Sequence, residues 1–491
     1  MEYVLGLDLG TSSLKGIVVD KAGNIVMEAS SSYQILSEQV GYSEQNPQDW
    51  LVAFEFVMAT LSSKIKDLQY NLKAISFSGQ MHSLVLLDEK KEVLRPAILW
   101  NDTRTTKQCQ QIMDSFGTEL LQITKNIAVE GFTLPKILWV KENEPAIWEK
   151  VRHVLLPKDY LRWYLTGILN MEFSDASGTL LLDVDQKDWS KDILKQFNIE
   201  ATVLPPLVES MTVVGNLSDT IREKFGLKEA IKVVAGGADN ACSALGSGIL
   251  TDDISLSSIG TSGVVLSAES HPNVTYKGDL HVFYHVIANV KYSMGVTLAA
   301  GNSLSWFKQT FAEKLTFAEL MSCINEVGIG AEGLLFTPYI TGERTPYIDS
   351  QIRGSFIGID MRHTFKHFTR AVVEGITFSL KDCLKIMEHQ KGRRKRIIAV
   401  GGGALNEDWL QIQADIFACQ VQILQTEQGP GFGAAILAAL GLGWFKDANM
   451  AVQAFVKEGK SYDPIPRHVV EYEKIYRQYQ NIYSQTKPIM N

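Results

Sequence analysis

Residues 4–19 read Val4-Leu5-Gly6-Leu7-Asp8-Leu9-Gly10-Thr11-Ser12-Ser13-Leu14-Lys15-Gly16-Ile17-Val18-Val19, and residues 254–266 repeat the plan around Gly260-Thr261-Ser262. Each copy is an apolar run, a Gly-Thr-Ser turn and a second apolar run, the pattern of two strands joined by a tight turn. Glycine followed by hydroxyl residues lets backbone N–H groups and side-chain hydroxyls converge on a phosphate with no bulky side chain in the way. One copy in each half of the chain predicts two similar lobes closing on one polyphosphate.

Gly-Thr-Ser also makes ordinary hairpin turns. The first copy carries more, because Asp8 ends its strand and Lys15 lies just past the turn, so an acid, hydroxyls and an amine gather around the same point. An acid placed there reaches Mg²⁺ directly or through water, since hard cations take oxygen ligands.

At 491 residues the chain exceeds what one hydrophobic core supports, and we expect two domains, 1–246 and 247–491. The net charge of −8 argues against general binding to nucleic acid or an anionic membrane. The basic run Lys391-Gly392-Arg393-Arg394-Lys395-Arg396 joins a helical pattern to a strand and has no interleaved aromatics, so it reads as a solvated loop. Five cysteines, odd in number and widely spaced, fit a reducing cytoplasm. No apolar run approaches the roughly 20 residues that span a bilayer. The expected partner is a small molecule, with neither nucleic acid nor membrane, and a homodimer is compatible with the composition.

Strands and helices alternate along the chain. Asn46-Pro47 reads as a cap and first turn for a helix over 50–65, residues 72–77 as a strand ending in Ser78-Gly79-Gln80-Met81-His82, and residues 232–235 as a strand running into Gly236-Gly237-Ala238-Asp239-Asn240. A long helix is expected over 364–387 with Gly375 at a close contact. A strand over 396–400 leads through Gly401-Gly402-Gly403 to a helix from about Asn406. The stripe Tyr472, Ile475, Tyr476, Tyr479, Ile482, Tyr483 reads as a packed amphipathic helix without chemistry.

Asp239 is the catalytic candidate. Two glycines before it let backbone approach a ligand closely, and Asn240 adds a donor and an acceptor. Phosphoryl transfer needs one group to orient and deprotonate the attacking hydroxyl, plus donors and cations on the phosphates. The competing reading is an Asp that only caps the next helix. At Met81-His82 an imidazole offers one donor and one acceptor to hydroxyls while a thioether packs on a carbon chain.

These blocks, with Gly41-Tyr42-Ser43-Glu44-Gln45-Asn46-Pro47, Leu99-Trp100-Asn101-Asp102-Thr103-Arg104, Leu156-Pro157-Lys158-Asp159-Tyr160, Asp175-Ala176-Ser177-Gly178-Thr179, Gly342-Glu343-Arg344-Thr345-Pro346 and Gly429-Pro430-Gly431-Phe432-Gly433-Ala434-Ala435, resemble the FGGY family of carbohydrate kinases through nearly the whole chain. The resemblance implies an α/β fold of two ribonuclease-H-like, actin-like ATPase domains with the active site in the cleft between them. It implies ATP and Mg²⁺, with Asp239 as the base and Asp8 as the acid that organises the metal and phosphates. Gln80, Met81, His82, Trp100, Asp102, Arg104 and Asn240 would serve the sugar. Gly10, Thr11, Ser12, Lys15, Gly260, Thr261, Ser262, Gly301, Gly402 and Asn406 would serve ATP. The implied reaction phosphorylates the terminal hydroxyl of a ketopentose, D-xylulose first. Ser83 after His82 and the run Ala404-Leu405-Asn406 depart from the pattern of members that take xylulose, and keep gluconate or another sugar or polyol as the alternative. An actin-like or chaperone-like ATPase would use the same loops without needing Gln80-Met81-His82 and the Trp100–Arg104 block.

Overall fold

A computed structural model of the protein describes residues 1–271, 274–392, 394–425 and 429–490. In the first half, β1 (Tyr3–Leu9), β2 (Ser13–Asp20), β3 (Ile25–Ser32), β4 (Leu72–Gly79), β5 (Val213–Asn216), β6 (Lys232–Val234) and β7 (Gly237–Ala238) form a sheet in the order β5-β6-β4-β1-β2-β3, with β7 also on β4. In the second half, β8 (Ile254–Ile259), β9 (Gly263–Glu269), β10 (His281–Tyr284), β11 (Lys291–Thr297), β12 (Arg396–Gly401), β13 (Gln420–Leu424) and β14 (Glu458–Tyr462) form a sheet in the order β10-β11-β9-β8-β12-β13-β14.

The two sheets share one plan. β1 runs antiparallel to β2, β2 antiparallel to β3, and β1 parallel to β4. β8 stands in the same relation to β9, and β9 to β11, while β8 runs parallel to β12. Each Gly-Thr-Ser turn joins the first two strands of its sheet, so the repeat in the sequence is a repeat in the fold.

Helices α1 (Pro47–Lys64), α2 (Asp239–Gly246), α3 (Gly301–Phe311), α4 (Phe365–Lys391), α5 (Glu407–Phe417), α6 (Gly429–Gly441) and α7 (Pro466–Met490) cover the sheets. Asn46 caps α1 by accepting from the Gln48 N–H at 3.1 Å, and Trp50, Phe54, Val57 and Leu61 turn inward against the first sheet. Gly375 of α4 lies so close to β-structure that a Cβ there would stand 2.2 Å from the Phe336 carbonyl oxygen. The aromatic stripe of α7 buries Tyr472, Tyr476, Tyr479 and Ile482 in the second lobe. Of the basic run, Arg394 donates to the Asp252 carbonyl, Lys395 pairs with Asp253 at 3.0 Å and Arg396 with Glu458 at 2.6 Å, while Arg393 lies outside the described residues. No helix among the described residues is long and apolar enough to cross a membrane.

Two segments of the second half cross to the first. β10, at the edge of the second sheet, is held by Asn126, whose Nδ2 donates to the Val282 carbonyl at 2.8 Å and whose Oδ1 accepts from the Val282 N–H at 3.1 Å; the Tyr284 N–H donates to Ser177 Oγ at 3.0 Å. Helix α6 returns to the first sheet and packs between β1 and α2. Its glycines permit that approach: a Cβ on Gly433 would stand 1.9 Å from the Cys242 carbonyl oxygen, and a Cβ on Gly6 would stand 2.0 Å from that of Gly431.

Gly433→Ala therefore forces α6 away from the helix that begins with Asp239. The expected loss is about 1–3 kcal/mol, the usual cost of overpacking, read as a lower urea midpoint. An unchanged midpoint would mean that the contact yields freely.

Candidate active site

The cleft is built by strand register. β1 pairs with β4 so that Asp8 faces Ser78 and Leu9 faces Gly79, and β4 pairs with β7 so that Gly79 faces Ala238. Three parallel strands therefore end at one level, and Gly10, Gln80 and Asp239 leave the sheet side by side at its carboxyl edge, where ligands of open α/β sheets bind. The Gln80 N–H donates to the Leu9 carbonyl at 2.9 Å, which ties two of these exits together.

Asp239 is half-buried, and its Oδ1 accepts from the Asn240 N–H at 2.6 Å and Nδ2 at 3.0 Å. Burial, followed by the negative charge of Asp8, pushes its pKa up to about 7. Asp8 is pushed up to about 6 by burial, with the Ser78 hydroxyl and the Lys15 ammonium acting the other way. Asp8 Oδ1 has no hydrogen-bond partner among the described residues. Two carboxyls in electrostatic reach of each other, one with an orphaned oxygen, fit a divalent cation, which would fill the missing contact and favour both ionised forms.

The first Gly-Thr-Ser turn is braced on several sides. Gly10 O accepts from Tyr33 Oη at 2.5 Å, Thr11 O from Gln45 Nε2 at 2.6 Å, and Thr11 Oγ1 from Trp100 Nε1 at 2.8 Å. Trp100 thus links the first Gly-Thr-Ser turn to the 99–104 loop. Lys15 stands opposite Asp8 across the β1–β2 pair and forms a 2.8 Å ion pair with Glu28.

Met81, His82 and Gln80 fill the space beside Asp239. Gln80 is locked by Gln45 at 3.2 Å and Ser83 at 3.1 Å, and Met81 Sδ lies 3.7 Å from Asn240 Nδ2. His82 adopts φ 65°, and its Nδ1 lies 2.6 Å from the Gly178 carbonyl. A carbonyl only accepts, so Nδ1 carries the hydrogen and Nε2 is left as an acceptor. Burial, then the Lys136 charge, brings the His82 pKa down to about 3, which keeps the ring neutral. Gly178 has to be glycine: a Cβ there would stand 2.8 Å from the imidazole.

Asp102 and Arg104 are turned toward each other. Asp102 is fully buried and accepts from the Ser43 N–H at 2.6 Å and from Arg104 at 2.7 Å, while Arg104 pairs with Glu44 at 2.7 Å and lies 3.6 Å over the Tyr42 ring. In this structure the pair stiffens the loop that carries Trp100.

The second lobe contributes residues with no local motif. Phe283 of β10 lies 5.8 Å from the His82 ring, and Tyr292 Oη of β11 lies 3.9 Å from Met81 Sδ. Phe132, at 4.7 Å, covers another side of His82. The second Gly-Thr-Ser turn opens on a cavity of about 560 Å³ bounded by Gly260, Thr261, Gly301, Gly402, Phe317 and Trp409. Gly301 N–H donates to the Gly260 carbonyl at 2.8 Å, and a Cβ on Gly301 would stand 2.4 Å from that oxygen. Asn406 lines the cavity and caps α5, its Oδ1 accepting from the Trp409 N–H at 2.9 Å. Phe317 and Met321 belong to a short helix that the capping box Thr316-x-x-Glu319 would have signalled.

Family models agree with this arrangement. That of the FGGY family of carbohydrate kinases, N-terminal domain, matches residues 3–246, and that of the C-terminal domain matches residues 256–442. A xylulose kinase of Lactococcus lactis subsp. lactis is 55% identical over 493 residues, covering 100% of this chain and 98% of that protein. The crystal structure of a ligand-bound xylulose kinase from Lactobacillus acidophilus superposes with a TM-score of 0.95 at 26% identity over 99% of both chains. A gluconate kinase structure from the same organism gives a TM-score of 0.95 at 26% identity over 99% of this chain and 98% of that one.

The half-buried, hydrogen-bonded setting of His82 predicts that its ring stays neutral and Nδ1-protonated down to pH 5, checked by the nitrogen shifts of the imidazole in a selectively labelled sample. A ring that titrates near pH 6.5 would contradict the assigned bond.

Proposed function

The chain belongs to the FGGY family of carbohydrate kinases, and from that premise we propose that it transfers the γ-phosphoryl group of ATP to the terminal hydroxyl of D-xylulose. It is an enzyme, a carbohydrate phosphotransferase. The observation that carries the finer reading is the exit of Gly10, Gln80 and Asp239 from adjoining strands at one sheet edge, which brings the Asp239 carboxyl, the first Gly-Thr-Ser turn and the Met81-His82 pair to one level. The 55% identity to a xylulose kinase over the whole chain supports xylulose as the acceptor. We read residues 1–246 and 247–491 as the two domains, acting in the cytoplasm.

The acceptor lies against Met81 and His82, with His82 Nε2 taking a hydrogen bond from a sugar hydroxyl. Asp239 orients the terminal hydroxyl and accepts its proton as the oxygen attacks the γ-phosphorus. The new P–O bond forms as the bond to the β-phosphate bridging oxygen breaks, and ADP leaves with that electron pair. Asp8 would hold Mg²⁺, which when bound neutralises charge on the phosphate oxygens. The Gly10–Ser12 and Gly260–Ser262 turns present N–H groups and hydroxyls to the phosphates, and the 560 Å³ cavity receives the adenine.

Asp239→Asn preserves shape and removes the base. Sugar phosphorylation should fall by about 10²- to 10⁴-fold while the affinity for a non-hydrolysable ATP analogue is kept. Retention of more than half of the wild-type kcat would remove Asp239 from the role.

The acid pair also sets a pH dependence. Asp239 works ionised, and with its pKa raised to about 7 the working form is lost as the pH falls. kcat/KM for the sugar should therefore decline below an apparent pKa near 7 that belongs to the Asp8–Asp239 pair jointly. Added Mg²⁺ should shift the decline to lower pH. A profile flat from pH 5 to 8 would exclude the pair as the titrating unit.

A further inference from the structure

One arginine of the second lobe, Arg344, has no hydrogen-bond or ion-pair partner for its guanidinium among the described residues. The segment Gly342-Glu343-Arg344-Thr345-Pro346 is fastened to the end of β11: the Thr345 N–H donates to the Val296 carbonyl at 3.0 Å, and the Val296 N–H donates to Thr345 Oγ1 at 3.1 Å. Glu343 adds a second clamp, its Oε1 accepting from the N–H groups of Leu298 at 3.0 Å and Arg344 at 2.8 Å. Arg344 is thus held at a fixed point beside the strands that carry His281, Phe283 and Tyr292 into the pocket. His281 packs 5.5 Å from Phe132, and Phe132 covers the His82 ring.

The Arg344 guanidinium makes no hydrogen bond or ion pair among the described residues, although the side chain is half-buried. Arg104 of the first lobe shows what a satisfied guanidinium looks like in this protein, with two carboxylates and an aromatic face. After burial, the Arg344 charge is among the influences that keep His82 and His281 neutral, and the Glu130 carboxylate of the first lobe acts on Arg344. A fork of N–H donors with no protein acceptor, on a segment tied to the strands that reach the His82 ring, can donate to the oxygens of a polyhydroxyl ligand.

We propose that Arg344 is a substrate-binding residue that donates hydrogen bonds from the second lobe to hydroxyl oxygens of the acceptor bound at Met81-His82. It thereby makes closure of the cleft depend on the sugar, since a donor on one lobe and its acceptor on a ligand held by the other attract only when both are present. The inference rests on the sugar-kinase reading given above.

The test compares wild type with Arg344→Gln and Arg344→Lys, using D-xylulose, a set of its deoxy analogues and a non-hydrolysable ATP analogue. For Arg344→Gln, KM for xylulose should rise roughly 10- to 100-fold, the range for a lost charged hydrogen bond, with the ATP-analogue affinity and melting temperature unchanged and partial recovery in Arg344→Lys. At least one deoxy analogue should be penalised in wild type and not in Arg344→Gln, a signature that a structural role would not give. Equal penalties in both proteins would overturn the inference, and so would an unchanged KM. Failure of wild type to phosphorylate any ketose would instead strike the sugar-kinase reading, so the two failures are distinguishable.

Discussion

The site hangs on one buried ammonium. Lys158 Nζ lies 2.5 Å from Asp175, 3.0 Å from Glu172 and 3.3 Å from Asp159, and all four side chains are fully buried. Arg162 adds a second cation, 2.9 Å from Asp159, and donates to the Ala235 carbonyl at 2.6 Å. Three carboxylates against two cations leave one negative charge in excess. Asp175 relieves it: burial, with the nearby Glu172 and Asp159 charges outweighing part of the pull of Lys158, raises its pKa well above the usual range. Breaking such a cluster by removing one member costs about 3–5 kcal/mol, because the others are left buried and uncompensated.

Both halves of the chemistry are reached from this cluster. Glu172 accepts from Ser174 Oγ at 2.7 Å, and that hydroxyl in turn accepts the Ala238 N–H at 2.9 Å, which fixes the backbone one residue before Asp239. The helix Phe173–Ser177 runs on into Gly178, whose carbonyl takes the His82 Nδ1 hydrogen. A buried charge cluster therefore orients the proposed base through a hydrogen-bond chain and the His82 imidazole through one short helix, and their relative placement is as stiff as the cluster.

The other constraint is the way the lobes share elements. β10 is a strand of the second sheet hydrogen-bonded to first-lobe side chains, and α6 follows the second sheet in sequence yet packs on the first. Motion between the lobes must bend around these two anchors. The glycines at 6, 431 and 433 let α6 lie directly on the strand that carries Asp8 and on the helix that begins with Asp239, so the two acids share one backing.

The sequence alone determined the repeated strand-turn-strand units, the position of Asp8 at a strand end, the Asp239 turn and the family, because each is written within a dozen or so adjacent residues by periodicity and turn chemistry. The helix starting after Asn46, the strand from Leu72 and the packed aromatic stripe of α7 were legible for the same reason. Only the tertiary structure decided that Asp102 and Arg104 bind each other, that Lys15 pairs with Glu28, and that Phe132, Phe283 and Tyr292 gather around Met81 and His82. Those contacts join residues distant in the chain, and no local pattern encodes them. They follow from strand register and from which lobe a returning element covers, and both are settled by burial summed over the whole molecule.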